Sequence, residues 1–411
     1  MKYNKKDVNI LVLNCGSSSL KYKIIRMPQE ETLVQGEAER VGTKTQGVSV
    51  ITHCFGDKKR TVEIPLPDHA AALKKALEMI GEDVKKNKDV RFDIFAHRYV
   101  HPGNFFTKTT KINKYVLEKL KETFPLAAIH NPISYQLIDF CRREYASTAQ
   151  ILVFDTMFHK TIPPEFSTYA LPRDIIKKYG LKKVGFHGIS HRYVMEESCR
   201  FLRRKKSTQK IISCHLGTGG ASVCAINCGK SINNSMGFTP LEGLMMNTRC
   251  GNIDPGVVFY IMFQENFSPE DTENMLNKKS GVLGVFNSSS DLREVINNID
   301  GDKRAEMTFD MYVRRVRMYI GFYALILKKA DILVFTDSLG VEEPVLREHI
   351  CRGMEFLGMK LDGTVNARYQ SGESDISSPD SQTRILVIPT NEELMIARES
   401  YKEFMKNDTD C

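Results

Sequence analysis

The sequence predicts a two-domain α/β protein in which one strand–loop–strand plan is used twice. Three observations carry this. At 411 residues the chain exceeds what one hydrophobic core ordinarily organises. Short β-rich runs alternate with segments of helical periodicity along its whole length. Two small-residue loops, each directly behind an apolar run, lie far apart in the chain. The first is Asn14-Cys15-Gly16-Ser17-Ser18-Ser19-Leu20-Lys21, after Val8 to Leu13; the second is His215-Leu216-Gly217-Thr218-Gly219-Gly220-Ala221-Ser222, after Ile211 to Cys214.

The elements follow in order. Val8 to Leu13, Lys21 to Ile25, Val48 to Thr52 and Thr61 to Ile64 read as strands. Asp68 suits an N-cap, and Leu73, Ala76, Leu77 and Ile80 then fall on one helical face. Strand Phe92 to Ala96, helices around Tyr115 to Thr123 and Ile133 to Arg143, and strand Gln150 to Phe154 complete a mixed α/β domain. The plan recurs with strands Ile211 to Cys214 and Ser222 to Ile226, a long helix over Glu306 to Lys329 and a buried strand Asp331 to Phe335. Val365 to Thr383 is rich in Ser, Asp and Gly and reads as an exposed loop. Strand Arg384 to Ile388 and a helix from about Asn391 close the chain. The expected domains are residues 1–156 with 393–411, and residues 157–392.

Composition narrows the function classes. Hydrophobic residues make up 42% and charged residues 26%, as in ordinary globular proteins. The net charge of +8 comes from dispersed clusters such as Arg203-Arg204-Lys205-Lys206, which read as solvated faces rather than a nucleic-acid surface. No run is long enough for a signal h-region or a membrane span, so a soluble cytoplasmic protein is expected. Ten scattered cysteines form no C-x-x-C pair, and Cys224 and Cys228 lack a second Cys/His pair for zinc, which points to free thiols in a reducing compartment.

The paired loops point to phosphate. Glycines admit a ligand close to the backbone, and amide N–H groups, hydroxyls and a lysine suit phosphate oxygens. A dinucleotide fold is disfavoured because neither loop reads G-x-G-x-x-G opening a helix. Duplicated loop–strand hairpins instead suggest two actin-like (ribonuclease H-like) domains with a cleft between them. Polar residues gather where strands should end: His97-Arg98-Tyr99-Val100-His101, Ile129-His130-Asn131-Pro132, Asp155-Thr156-Met157-Phe158-His159, Phe186-His187-Gly188-Ile189-Ser190-His191 and Asn247-Thr248-Arg249. An arginine there offers a fork for carboxylate or phosphate, and a histidine a donor for developing charge.

With Met236-Gly237-Phe238-Thr239-Pro240-Leu241-Glu242-Gly243-Leu244, Ser289-Ser290-Asp291-Leu292-Arg293 and Pro389-Thr390-Asn391-Glu392-Glu393-Leu394, these stretches resemble the acetate kinase (acetokinase) family of the actin-like kinase superfamily from end to end. The resemblance implies reversible phosphoryl transfer between acetate and acetyl phosphate, Mg²⁺, and a homodimer built through the second domain, with no nucleic-acid or membrane partner. It implies that Asn14 and Glu392 hold Mg²⁺, that Arg98 and Arg249 clamp the carboxyl and phosphoryl groups, that His187 stabilises the equatorial oxygens and that Asp155 orients an arginine or the acetate oxygen. Val100, Ile129, Phe186 and Pro240 match the pocket for the acetate methyl, which leaves propionate possible. Ser17, Ser19, Lys21, His215, Gly217, Thr218, Gly219, Asp291, Arg293, Asp337, Ser338 and Gly340 fall in the phosphate- and nucleotide-binding stretches.

The chain departs from the family at one side of that site. Thr218 replaces the usual asparagine, and Thr336-Asp337-Ser338-Leu339-Gly340-Val341-Glu342 replaces a turn reading Gly-Ile-Gly-Glu-Asn. A side chain where purine meets bare backbone narrows the pocket, and Asp337 adds negative charge. One branch of the family exchanges phosphate with diphosphate and departs at the same places. Diphosphate with phosphate is therefore favoured slightly over ATP with ADP; an ordinary ATP-dependent acetate or propionate kinase is the alternative, and a non-catalytic actin-like scaffold a remote one. Asn247 and Asn252 replace the usual Gly and Asp around Arg249.

Overall fold

The computed structural model describes residues 7–43, 47–127 and 130–407. The chain divides into two compact units, Met1–Met157 with Asn391–Cys411, and Phe158–Thr390. Asn391 and Glu392 thus group with the N-terminal unit.

The first unit is built on an eight-stranded sheet, in the order β5-β4-β3-β2-β1-β6-β8-β7. Its strands are β1 (Val8–Cys15), β2 (Ser19–Met27), β3 (Glu31–Glu39), β4 (Val50–Phe55), β5 (Lys58–Glu63), β6 (Ile94–Tyr99), β7 (Thr110–Lys111) and β8 (Ala149–Phe154). β1 to β5 form an antiparallel meander, whereas β6 runs parallel to β1 and β8 parallel to β6. β1 is almost wholly buried, as its continuous apolar run requires of a central strand. Strand β3 carries a glutamate-rich sequence and was invisible to periodicity; it forms because Val34 and Ala38 face the core while its polar residues face water. Helix α1 (His69–Lys86) starts where Asp68 accepts from Ala71 N at 2.8 Å, and buries Ala72, Leu73, Ala76, Met79 and Ile80 on one face. Helices α2 (Lys114–Glu122) and α3 (Asn131–Glu144) precede β8. The helix Glu392–Asn407 packs on β1, β2 and β8.

The second unit repeats the plan with β9 (Lys210–Leu216), β10 (Ala221–Asn227), β11 (Lys230–Asn234), β12 (Ile332–Thr336), β13 (Ser374–Asp375) and β14 (Arg384–Val387), ordered β11-β10-β9-β12-β14-β13. Three antiparallel strands again lead into parallel ones, with β12 pairing β9 and β14 pairing β12. Both units therefore share the actin-like order third-second-first-fourth-fifth. The 25-residue helix Lys303–Leu327, capped by Asp302, buries Phe309, Tyr312, Val316, Ile320 and Tyr323. The stretch Val365–Thr383, expected to be an exposed loop, instead holds the end of helix Gly363–Ala367 and edge strand β13, and it buries Ile376 completely. One apolar residue among polar neighbours sufficed, because β14 offered a free edge to pair with.

Among the described residues no helix is long and apolar enough to cross a membrane.

Candidate active site

In both units the candidate residues sit at the carboxyl ends of the parallel strands, where the following chain turns away and can leave side chains and amides available to a ligand. Asn14 is near the end of β1, Arg98 near the end of β6, and Asp155 follows β8. His215 is near the end of β9, and Asp337 follows β12.

In the first unit one polar chain runs from Asp155 to Lys23. Arg98 Nη2 donates to Asp155 Oδ2 at 3.1 Å, and Nη1 lies 3.5 Å from Asn14 Oδ1. Asn14 Nδ2 donates to Glu392 Oε2 at 3.0 Å and to Glu393 Oε1 at 2.8 Å; Lys23 Nζ reaches Glu393 Oε2 at 3.2 Å. Asp155 is 1% exposed, so this carboxylate is held for Arg98 rather than for solvent. Burial opposes the charge on Arg98, but Asp155 and Glu392 outweigh it and raise its pKa, so the guanidinium stays charged. Arg98 Nε is buried without a hydrogen-bond partner among the described residues, a donor left over for a ligand oxygen. Burial also raises Glu393, but Lys23 and Asn14 reverse this and hold its carboxyl below the usual range.

Ser17, Ser19 and Lys21 lie in the turn and first residues between β1 and β2. Gly16 N donates to Ser19 O at 2.9 Å to close that turn, and Lys21 points out toward Glu37 at 3.7 Å. Cys15 is buried, which pushes its thiol up to about 12 and removes it as a nucleophile.

The donor set Asn14 and Glu392 consists of hard oxygens, which suit Mg²⁺ and not zinc. Asn14 gives its amide hydrogens to two carboxylates, which fixes its flip and turns Oδ1 toward Arg98. Among the described residues no three His, Cys, Asp or Glu side chains converge, so the protein offers a few oxygens rather than a closed cage. Magnesium fits such a site because it keeps waters and shares substrate phosphate oxygens.

In the second unit the loop Gly217–Gly220 joins β9 to β10, closed by Gly217 N donating to Gly220 O at 3.2 Å. His187 has a left-handed backbone, φ 55°, directly before the helix Gly188–Phe201, and Gly185 precedes it at φ 78°. That kink turns the imidazole back over the loop. A Cβ on Gly220 would lie 3.3 Å from Arg249 Nη1 and 3.6 Å from His187 Nε2, so both groups flank one glycine. Ser222 Oγ bridges His187 Nδ1 at 3.0 Å and His191 Nε2 at 2.8 Å. Burial lowers the pKa of His191 far below its usual value, which keeps it a neutral brace. Arg249 has no carboxylate partner among the described residues; its Nη1 meets Met246 Sδ at 3.7 Å, and burial lowers its pKa. A half-buried guanidinium that meets no carboxylate among the described residues has the charge and the planar donors to pair with an anion.

Asp337 sits at φ 62° and its Oδ2 lies 3.0 Å from His215 Nε2, while His215 Nδ1 meets Ser190 Oγ at 2.9 Å. A Cβ on Gly217 would overlap Asp337 Oδ2. Thr218 N donates to Ser338 Oγ at 3.1 Å. The substituted residues therefore lie directly against the loop Gly217–Gly220. Buried Arg347 holds the short helix Asp337–Glu342 in place by donating to the carbonyls of Gly340 at 3.0 Å and Val341 at 2.7 Å. Gly340 is buried against β9, and a Cβ there would make only ordinary contact, 3.7 Å from Cys214 O. Asp291 and Arg293 pair with each other at 2.7 Å, and Arg293 reaches Glu342 on the same helix at 3.5 Å.

Of the acyl-pocket residues, Val100 is buried in the first unit; in the second, Phe186 is buried and Pro240 half-buried. Ile129 lies outside the described residues. The Pro240 loop is braced by residues that sequence reasoning missed. Glu242 accepts from Tyr169 Oη and Lys183 Nζ, each at 2.6 Å, and Tyr169 Oη accepts from Phe238 N at 2.8 Å. Only glycine at 237 leaves room for that carboxylate. Asn252 braces the far end, accepting from Gly243 N at 2.7 Å, and does not touch Arg249. His191 was detectable as the i+4 partner of His187 on one helix face; Tyr169 and Lys183 carried no such signal.

Both units thus have the actin-like architecture, with polar and charged side chains at the strand ends. The acetokinase family model matches residues 9–398, and the chain belongs to that family. It is 44% identical to the acetate kinase of Dictyoglomus turgidum over 96% of this chain and 97% of that one. Among solved structures, Porphyromonas gingivalis acetate kinase superposes with a TM-score of 0.88 at 39% identity, covering 96% of this chain and 99% of the other. A propionate kinase from Francisella tularensis gives 0.86 at 37% identity, covering 95% and 98%.

Proposed function

We propose that this chain is a Mg²⁺-dependent acetate kinase, a phosphotransferase with a carboxyl acceptor, and that its phosphate partner is diphosphate and phosphate rather than ATP and ADP. The observation that carries the kinase reading is Arg249 beside His187 at the loop Gly217–Gly220, a guanidinium that meets no carboxylate among the described residues. The names of its relatives support a short carboxylate as acceptor. The diphosphate reading rests on Asp337 and Ser338, which press on Gly217 and Thr218 with a carboxylate and a hydroxyl.

In the proposed reaction a carboxylate oxygen of acetate attacks phosphorus in line, and the bond to the leaving phosphate breaks. Arg98, aimed by Asp155, neutralises the carboxylate and directs its oxygen. Arg249 takes the moving phosphoryl group, and His187, steadied by Ser222, donates from Nε2 to its equatorial oxygens. Asn14 and Glu392 would hold Mg²⁺, which would neutralise charge on the phosphate oxygens. The family resemblance assigns Val100, Ile129, Phe186 and Pro240 to the acetate methyl group. No enzyme nucleophile is needed, in keeping with the raised thiol pKa of Cys15.

We assign the homodimer to the second unit, where Phe259, Tyr260 and Phe263 of helix Pro255–Gln264 and Met318 and Leu325 of helix Lys303–Leu327 expose large apolar surface. Sedimentation at micromolar concentration should give the dimer mass.

The deciding experiment compares acetyl phosphate consumption with phosphate and with ADP, and acyl hydroxamate formation from acetate with diphosphate and with ATP. Faster turnover with phosphate and diphosphate is expected. A preference for ADP and ATP overturns the diphosphate reading and leaves the ATP-dependent acetate or propionate kinase. No hydroxamate with either donor overturns the kinase reading.

A further inference from the structure

A cavity of about 570 Å³ opens on the first unit between β7, α2, α3 and the start of β8. It lies at the amino end of β8, whereas Asp155 follows the carboxyl end of that strand. Lys111, Lys114, Lys121 and Arg142 line it against a single carboxylate, Glu118. Arg142 is engaged by Asp139 at 3.2 Å, and Lys121 Nζ stands 5.6 Å from the centre of the Tyr135 ring. Among the described residues no ion pair holds Lys111, Lys114 or Lys121. Its floor is apolar: Ile112, Leu117 and Tyr135 line it and pack on the core cluster that contains Tyr99 and Leu152.

We propose that this cavity is an effector site for a small molecule carrying two or more anionic groups on an apolar body. The volume is that of a small-molecule site, and the combination of an apolar floor with a rim of unpaired cations selects amphiphilic anions over simple ions. The site has a physical route to the chemistry. Gln150 lines the cavity, is 6% exposed, and its Oε1 lies 3.0 Å from Nε2 of buried His97, the residue before Arg98 on β6. A ligand that shifts the first residues of β8 moves this hydrogen bond and with it the strand that aims Arg98. The proposal is independent of which phosphate partner the enzyme uses.

The probe is dianilinobinaphthyl disulfonate, which has two sulfonates on an aromatic body. Fluorescence titration measures its binding, hydrogen exchange locates it without requiring turnover, and acetate KM is read at saturating probe. Protection is expected over residues 111–121 and 142–150, with at least tenfold weaker binding in the triple variant Lys111→Gln/Lys114→Gln/Lys121→Gln. These positions are exposed, so the variant should fold. Acetate KM should shift at least twofold, and Gln150→Leu should bind the probe without that shift. Unweakened binding by the triple variant, protection confined elsewhere, or a bound probe that leaves KM unchanged overturns the proposal.

Discussion

Gly217→Ala tests whether Asp337 really occupies the phosphate loop. The new methyl group would overlap Asp337 Oδ2 and lie 3.0 Å from Gly220 O. Asp337 can yield by rotating, but only by leaving His215, 3.0 Å away. Hydrogen bonds to charged groups contribute about 1.5–3 kcal/mol. The Asp337 side chain is 34% exposed, so solvent screening places this one at the lower end, about 1–2 kcal/mol. Crowding against Gly220 O adds a few tenths of a kcal/mol and is common to any background. In Asp337→Gly the obstructing carboxylate is gone, so adding Gly217→Ala should then cost under about 0.5 kcal/mol. Urea unfolding of the parent, both single variants and the double variant gives the cycle, with a coupling of about 1 kcal/mol or more expected. Additive effects within error would refute the packing of Asp337 on Gly217, and with it the steric case for diphosphate.

Other outcomes follow from the same geometry. Ser338→Gly with Asp337→Ala should raise turnover with ADP at least tenfold relative to phosphate; an unchanged ratio means that these residues do not set donor choice. Arg249→Ala should lower kcat by about 100- to 1,000-fold, and Arg249→Lys should recover little because it lacks the planar fork; full recovery by lysine would contradict an oriented clamp. Tyr169→Phe should cost about 1–2 kcal/mol in urea unfolding and relax the preference for acetate over propionate, since Glu242 and Phe238 N both lose a partner; an unchanged preference would detach this brace from the acyl pocket. His97 is buried, which lowers its pKa from 6.5 to about 4. The unfolded chain therefore binds one more proton between pH 6.5 and 4, and stability present above pH 6.5 should fall by about 3 kcal/mol across that window. His97→Gln should flatten the fall, and a profile identical to the parent would show that another group titrates there.

Much of the fold was legible because its central strands are continuous apolar runs and its main helices have one apolar face. Val8 to Leu13 and Asp331 to Phe335 could be nothing but buried strands, and Asp68 marked the start of α1. Strand β3 was not legible, since its glutamates are as suited to a loop as to a sheet face. The candidate site was partly legible in the same way. Asn14, Arg98, Asp155, His187 and Arg249 stood out as polar residues where apolar runs stop. The residues that brace the candidate site did not, because Ser222 and Glu393, beside His187 and Asn14, and Tyr169 and Lys183, beneath the Pro240 loop, meet their partners through contacts distant in sequence.

The sequence by itself determined the duplicated α/β plan, the family and which residues are the candidates for the site. These are properties of residue type and short-range order, and a one-dimensional pattern carries them. Only the tertiary structure decided that Asp337 lies against His215 and Gly217, that Ser338 takes the Thr218 amide, and that Arg249 meets no carboxylate among the described residues. Those relations join residues more than a hundred positions apart or depend on a partner's absence in space, and they arise only when β9 and β12 pair side by side.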